Sequence, residues 1–98
     1  MVGIDDTVRE CEGPIIAKLD GDWRVLASNL DAREYPVYDL QMQRVGVLDA
    51  PYLTNIPHPQ IVDLPGGGHL MVSFDGTPYG MRVLGYGTHG DVVVMRSA

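Results

Sequence analysis

The residues best suited to metal binding or nucleophilic chemistry are three histidines and one cysteine: His58, His69, His89 and Cys11. None stands at a spacing such as His-x-x-x-His, His-x-His or Cys-x-x-Cys, which would place two ligands side by side. Cys11 lies between Glu10 and Glu12, whose negative charges disfavour the reactive thiolate. Because strands can bring distant histidines together, a small metal-binding β-barrel enzyme is kept as the least favoured alternative.

A glycine run and a set of aspartates are the other patterns that can carry chemistry. Gly66-Gly67-Gly68 has neither the following helix nor the Lys-Ser/Thr pair of a phosphate-binding loop, so we interpret it as a flexible hinge before a strand. Four aspartates flank turn glycines, where a carboxylate can bond to local backbone: Asp20, Asp22, Asp75 and Asp91. The sequence therefore predicts a non-enzymatic protein with no catalytic residue, no metal site and no cofactor.

The charge is negative and unevenly distributed, with 13 acidic and 7 basic residues and a formal net charge of −6. Ten of the acidic residues lie in residues 1–49. Such a surface repels nucleic acid and anionic membranes, so we predict neither as a partner. Four N-terminal carboxylates are candidates for contact with a basic protein, as in an acidic regulatory or inhibitor module: Asp5, Asp6, Glu10 and Glu12.

Alternation of apolar and polar residues is the main signal of secondary structure. Two alternating runs, residues 14–20 and 22–28, flank Gly21 and predict a β-hairpin. The pattern places Trp23, Val25 and Ala27 on one side of the second run, with Trp23 in the core. The next run, residues 35–48, alternates again and predicts a further strand.

Residues 49–68 are rich in proline and glycine and predict a long loop, with one short strand over residues 61–64. Its apolar residues either cover an open end of the domain or pack on another subunit. Five of its residues are candidates for an interaction surface: Tyr52, Leu53, Ile56, Pro57 and His58.

The C-terminal third predicts a three-stranded meander formed by residues 69–75, 80–86 and 91–96. In its first strand the alternation places Leu70, Val72 and Phe74 inward and Met71 and Ser73 outward. No apolar run is long enough to span a membrane, and the N-terminus does not resemble a signal peptide. We therefore expect a cytoplasmic protein or one assembled into a particle.

Together these features predict one all-β domain over residues 1–98, with an N-terminal extension over residues 1–12. The expected architecture is a small barrel or sandwich of six to seven short antiparallel strands, with a C-terminal meander and the long Pro/Gly-rich loop. The expected function is structural: assembly through protein–protein contacts, with a protein partner or as a homo-oligomer. A phage or virion component (decoration, connector or tail protein) is one form of this hypothesis.

Overall fold

The computed structural model describes residues 1–7, 11–54, 57–76 and 91–97. Over these residues the protein is all-β and has no helix, as predicted. Its seven strands are β1 (Cys11–Leu19), β2 (Asp22–Asn29), β3 (Pro36–Tyr38), β4 (Arg44–Val47), β5 (Gln60–Asp63), β6 (His69–Asp75) and β7 (Asp91–Arg96). They form two antiparallel sheets, in the orders β1-β2-β3-β4 and β5-β6-β7. The sheets do not join into one closed barrel over the described strands, so the sandwich alternative applies.

The first sheet begins with the predicted hairpin. Asp20 and Gly21, which connect β1 to β2, both have positive φ values, 53° and 87°. Two such residues make a connection whose twist matches that of the strands. Leu19 pairs with Asp22, and Ile15 pairs with Leu26 further along the hairpin.

The prediction of a single run over residues 35–48 was wrong, because this segment forms a second hairpin, β3–β4. The carboxylate of Asp39 accepts hydrogen bonds from the backbone N–H groups of Gln41 at 2.9 Å and Gln43 at 3.0 Å. Met42 has a φ of 61°. An aspartate bonding to the backbone that follows it stabilises a turn. The alternation of Tyr38, Leu40 and Met42 continues through this turn and therefore concealed it.

The second sheet is a three-stranded meander, but not with the three strands expected. The short strand in the Pro/Gly-rich loop, β5, pairs with β6, and β6 pairs directly with β7. The predicted strand over residues 80–86 lies outside the described residues. The glycine run forms the tight β5–β6 turn, in which Leu64 N–H donates to Gly68 O at 2.9 Å. It is therefore part of a hairpin and not a hinge.

The core lies between the two sheets. Its most buried members come from β2, β5, β6 and the residue before β3: Leu26, Tyr35, Ile61 and Met71. Tyr35 is fully buried, and its hydroxyl donates to Pro51 O at 3.1 Å. Burial raises the pKa of Tyr35, and the nearby Tyr52 adds a smaller rise.

The faces of β2 and β6 differ from those expected. In β6, Met71 and Ser73 are buried, whereas the Phe74 side chain, expected in the core, is 42% exposed. Trp23, also expected in the core, is 51% exposed. The β6 prediction failed because the inner side of the strand carries Met71 and Ser73, whereas the more apolar side, with Leu70, Val72 and Phe74, faces outward. Trp23 is exposed because it lies on the opposite side of β2 from the core residue Leu26, near the end of the strand that is least buried.

Candidate functional site

The outer side of the second sheet is apolar. Strand register places residues from all three strands on this side, in cross-strand pairs such as Val62–Leu70, Val72–Val94 and Phe74–Val92. The apolar face, as we call it, comprises Val62, Leu70, Val72, Phe74, Val92 and Val94. Gln60 and Arg96 are the other two positions on this side of the three strands, so the strands contribute no carboxylate to it.

Solvent reaches most of the apolar face. Val92 is 66% exposed, Val94 61%, Val62 55% and Phe74 42%. Valine and phenylalanine are favoured in strands whether or not they are buried. Removing their side chains from water is nevertheless favourable, by about 25 cal/mol per Å² of apolar surface buried. A contiguous exposed apolar patch on a sheet is typical of a surface that packs against another molecule.

The interaction residues predicted in the Pro/Gly-rich loop lie mostly against their own domain. Tyr52 packs on Tyr35, with 5.0 Å between ring centroids. Leu53 O accepts a hydrogen bond from Gly76 N–H at 2.8 Å, and the buried Pro57 accepts one from Phe74 N–H at 3.0 Å. The described part of the loop therefore makes contacts with its own domain.

His58 and Ile56 complete that set of predicted residues. His58 is exposed and lies edge-on to the Phe74 ring, with 6.4 Å between ring centroids. It therefore adjoins the apolar face at Phe74. Ile56 lies outside the described residues.

The predicted acidic residues do not form one described cluster. Asp5 is half-buried and accepts hydrogen bonds from Thr7 and from the Tyr38 hydroxyl, so its carboxylate is used within the chain. Asp6 is exposed. Glu10 lies outside the described residues. The backbone of Glu12 is part of β1.

A polar cluster joins the two sheets, and sequence reasoning did not identify it. His69 Nε2, at the start of β6, lies 3.2 Å from Asp20 Oδ1 and 3.3 Å from Asp63 Oδ1. Asp20 N–H also donates to Asp63 Oδ2 at 2.7 Å. Asp63 and His69 are cross-strand partners on either side of the glycine turn. Recognition of that hairpin would have paired them, whereas nothing in the sequence connects them to Asp20.

Among the described residues, His69 and His58 occupy separate places. His69 lies with the two aspartates, whereas His58 lies beside Phe74. His89, the third candidate, lies outside the described residues.

The described part of the chain contains no helix of the length and apolarity needed to cross a membrane. Comparison of the sequence with protein-family models and with curated proteins, and of the fold with solved structures, found no match in any of the three.

Proposed function

We propose that this chain is a non-enzymatic assembly protein that associates with a second copy of itself through the apolar face. The observation that carries the proposal is the composition of that face. Its six apolar side chains come from three adjacent strands, and those strands add no carboxylate on that side.

The distribution of charge favours a second copy as the partner. The whole chain carries a formal net charge of −6, which opposes self-association through most of its surface. Only 3 of the 13 acidic residues lie in residues 50–98, which contain the apolar face. Of these, Asp75 and Asp91 pair with each other on the opposite side of the sheet from Phe74 and Val92. Pairing through this face therefore brings together apolar side chains and no carboxylate from the three strands.

The size of the face sets the expected strength of association. Three strands about 4.8 Å apart and about 20 Å long span roughly 300 Å² in the plane of the sheet. A stable interface usually buries about 800 Å² on each partner. The apolar face can therefore form the centre of an interface to which neighbouring residues must add, and we expect association that depends on protein concentration.

Sedimentation velocity over a range of about 5 to 500 µM tests the proposal. The wild-type chain should shift from monomer to dimer as concentration rises, and Val94→Lys should remain monomeric because it places a charge in the middle of the face. Ile16→Lys is the matched control, since Ile16 is 62% exposed but lies on the first sheet. It should associate like the wild type. A wild-type monomer throughout, or equal loss of association in both variants, would contradict the proposal.

A further inference from the structure

Three side chains place metal-ligand atoms around one point, and we propose that Asp20, Asp63 and His69 bind a divalent transition-metal ion such as Zn²⁺. Their ligand atoms all lie within 4.8 Å of one another. His69 Nε2 lies 3.2 Å and 3.3 Å from one oxygen of Asp20 and of Asp63. Two ligands on a tetrahedral Zn²⁺ at about 2.0 Å are about 3.3 Å apart. The two separations therefore match those of neighbouring ligands on one ion.

The chemistry of the three groups suits a metal cation as well as a proton between them. Ionised carboxylate oxygens only accept hydrogen bonds, so His69 Nε2 must either carry a proton or share a cation with them. An imidazole nitrogen combined with carboxylate oxygens is a donor set that suits Zn²⁺ and other transition metals better than Ca²⁺ or Mg²⁺. A bound metal would replace the Nε2 proton.

Ser97 lies on the Nδ1 side of the His69 imidazole. Its hydroxyl can bond to Nδ1 whether Nε2 carries a proton or binds a metal. Its Oγ is 3.4 Å from His69 Nδ1 and also accepts a hydrogen bond from His69 backbone N–H at 2.7 Å. The hydroxyl can donate to Nδ1 while Nε2 is protonated. It can accept from Nδ1–H when Nε2 binds a metal. A second partner of this kind fixes the orientation of a ligating histidine.

The site is accessible and connects the two sheets. The Asp20 side chain is 77% exposed and that of Asp63 is 36% exposed. Asp20 and His69 also line a groove of about 400 Å³, in which water can complete the coordination. Asp20 belongs to the β1–β2 turn, and the other two ligands belong to the β5–β6 hairpin. One ion would thus link the sheets and stabilise the folded state, since the unfolded chain does not hold the three ligands together.

Calorimetric titration of ZnCl₂ into the full chain, first treated with EDTA and dialysed, tests this site at pH 7.5. We expect one Zn²⁺ per chain. At a free Zn²⁺ concentration of about 100 times Kd, the thermal midpoint should rise by roughly 10 °C.

Variants identify the ligands. Asp63→Asn and His69→Ala should each weaken Zn²⁺ binding at least about tenfold. The matched controls are Asp31→Asn, an exposed aspartate beyond the far end of β2, and His58→Ala, the other described histidine. Both should bind Zn²⁺ like the wild type. If His69→Ala fails to fold, Asp20→Asn provides the test, because its side chain is the most exposed of the three.

Nitrogen-15 NMR of the histidine side chains gives an independent measurement. Zn²⁺ should shift the Nε2 signal of His69 and leave that of His58 in place. The proposal is overturned by a lack of stoichiometric binding, by equal weakening in ligand and control variants, or by a Zn²⁺-dependent shift at His58 in place of His69. Each result is separable from the self-association test, which uses different residues and a different measurement.

Discussion

The hydroxyl of Tyr38 donates a hydrogen bond to Asp5 Oδ2 across 2.8 Å and so ties the N-terminal segment to β3. Tyr38 is only 1% exposed. The alternating sequence pattern does not indicate which residue accepts the hydrogen bond of its buried hydroxyl. The same aspartate accepts hydrogen bonds from the hydroxyl and the backbone N–H of Thr7. Residues 5–7 are therefore part of the folded domain, and the carboxylate of Asp5 is the group that holds them.

These hydrogen bonds make Asp5 a source of pH dependence. They lower its pKa from the ordinary value of 3.8, with the Thr7 side chain as the largest cause, then the Thr7 backbone and then Tyr38. A carboxyl whose pKa is lower when folded stabilises the protein above the unfolded-state pKa. That contribution is lost as the pH falls through the folded-state pKa.

We therefore predict how the pKa of Asp5 ranks in the wild type and in two variants. Thr7→Ala should raise the pKa of Asp5 more than Tyr38→Phe does, and both should raise it above the wild-type value. Carboxyl carbon-13 chemical shifts followed by NMR between about pH 2 and pH 6 measure this directly. A wild-type pKa of 3.8 or higher would disprove the role assigned to these hydrogen bonds.

The reversed faces of β6 give a prediction about stability. Met71 is 4% exposed and Phe74 is 42% exposed. Met71→Ala should lower the free energy of unfolding by about 2–5 kcal/mol, because it leaves a cavity in the core. Phe74→Ala should cost less than half as much, although it removes the larger side chain. Urea denaturation of both variants measures the difference. A larger loss for Phe74→Ala would instead support the orientation that alternation predicts.

Two glycines of the β5–β6 turn form a matched pair for a backbone test. Gly66 and Gly68 have nearly equal φ values, +84° and +82°, so alanine is strained at both. A Cβ at Gly66 would meet nothing within 4 Å, whereas one at Gly68 would lie 3.3 Å from Ser97 O. Each change should cost about 1 kcal/mol or more from strain.

The crowding beside Ser97 should add a further loss at Gly68 alone. Thermal unfolding of Gly66→Ala and Gly68→Ala compares the two, and the Gly68 variant should have the lower midpoint. Equal midpoints would mean that Ser97 shifts to accommodate the new methyl group with no loss of stability.

Local signals in the sequence were enough to predict much of the fold. Gly21 between two alternating runs predicted the β1–β2 hairpin, and alternation predicted β6 and β7 within the bounds observed. These signals succeed because turn residues and side-chain period depend on a few neighbouring residues. Asp39 escaped notice as a turn former because no glycine accompanies it, so a hairpin was interpreted as one run.

Properties that depend on contacts between distant residues were not predictable in the same way. Whether Met71 or Phe74 faces inward is decided by which side of β6 the first sheet covers. The contact of Asp20 with His69 likewise depends on how the two sheets meet. The apolar face became recognisable only when register placed β5, β6 and β7 side by side, since no single strand contains it.

The two sheets come from successive parts of the chain, and this arrangement bears on how the protein folds. Residues 11–47 supply every strand of the first sheet, and residues 60–96 supply those of the second. Each hairpin closes over a short stretch of chain, so its entropic cost is low. Contacts between the sheets are more distant, as between Asp20 and Asp63, which are 43 residues apart. Docking of two preformed halves is therefore the step that we expect to limit the folding rate, as in other chains dominated by long-range contacts.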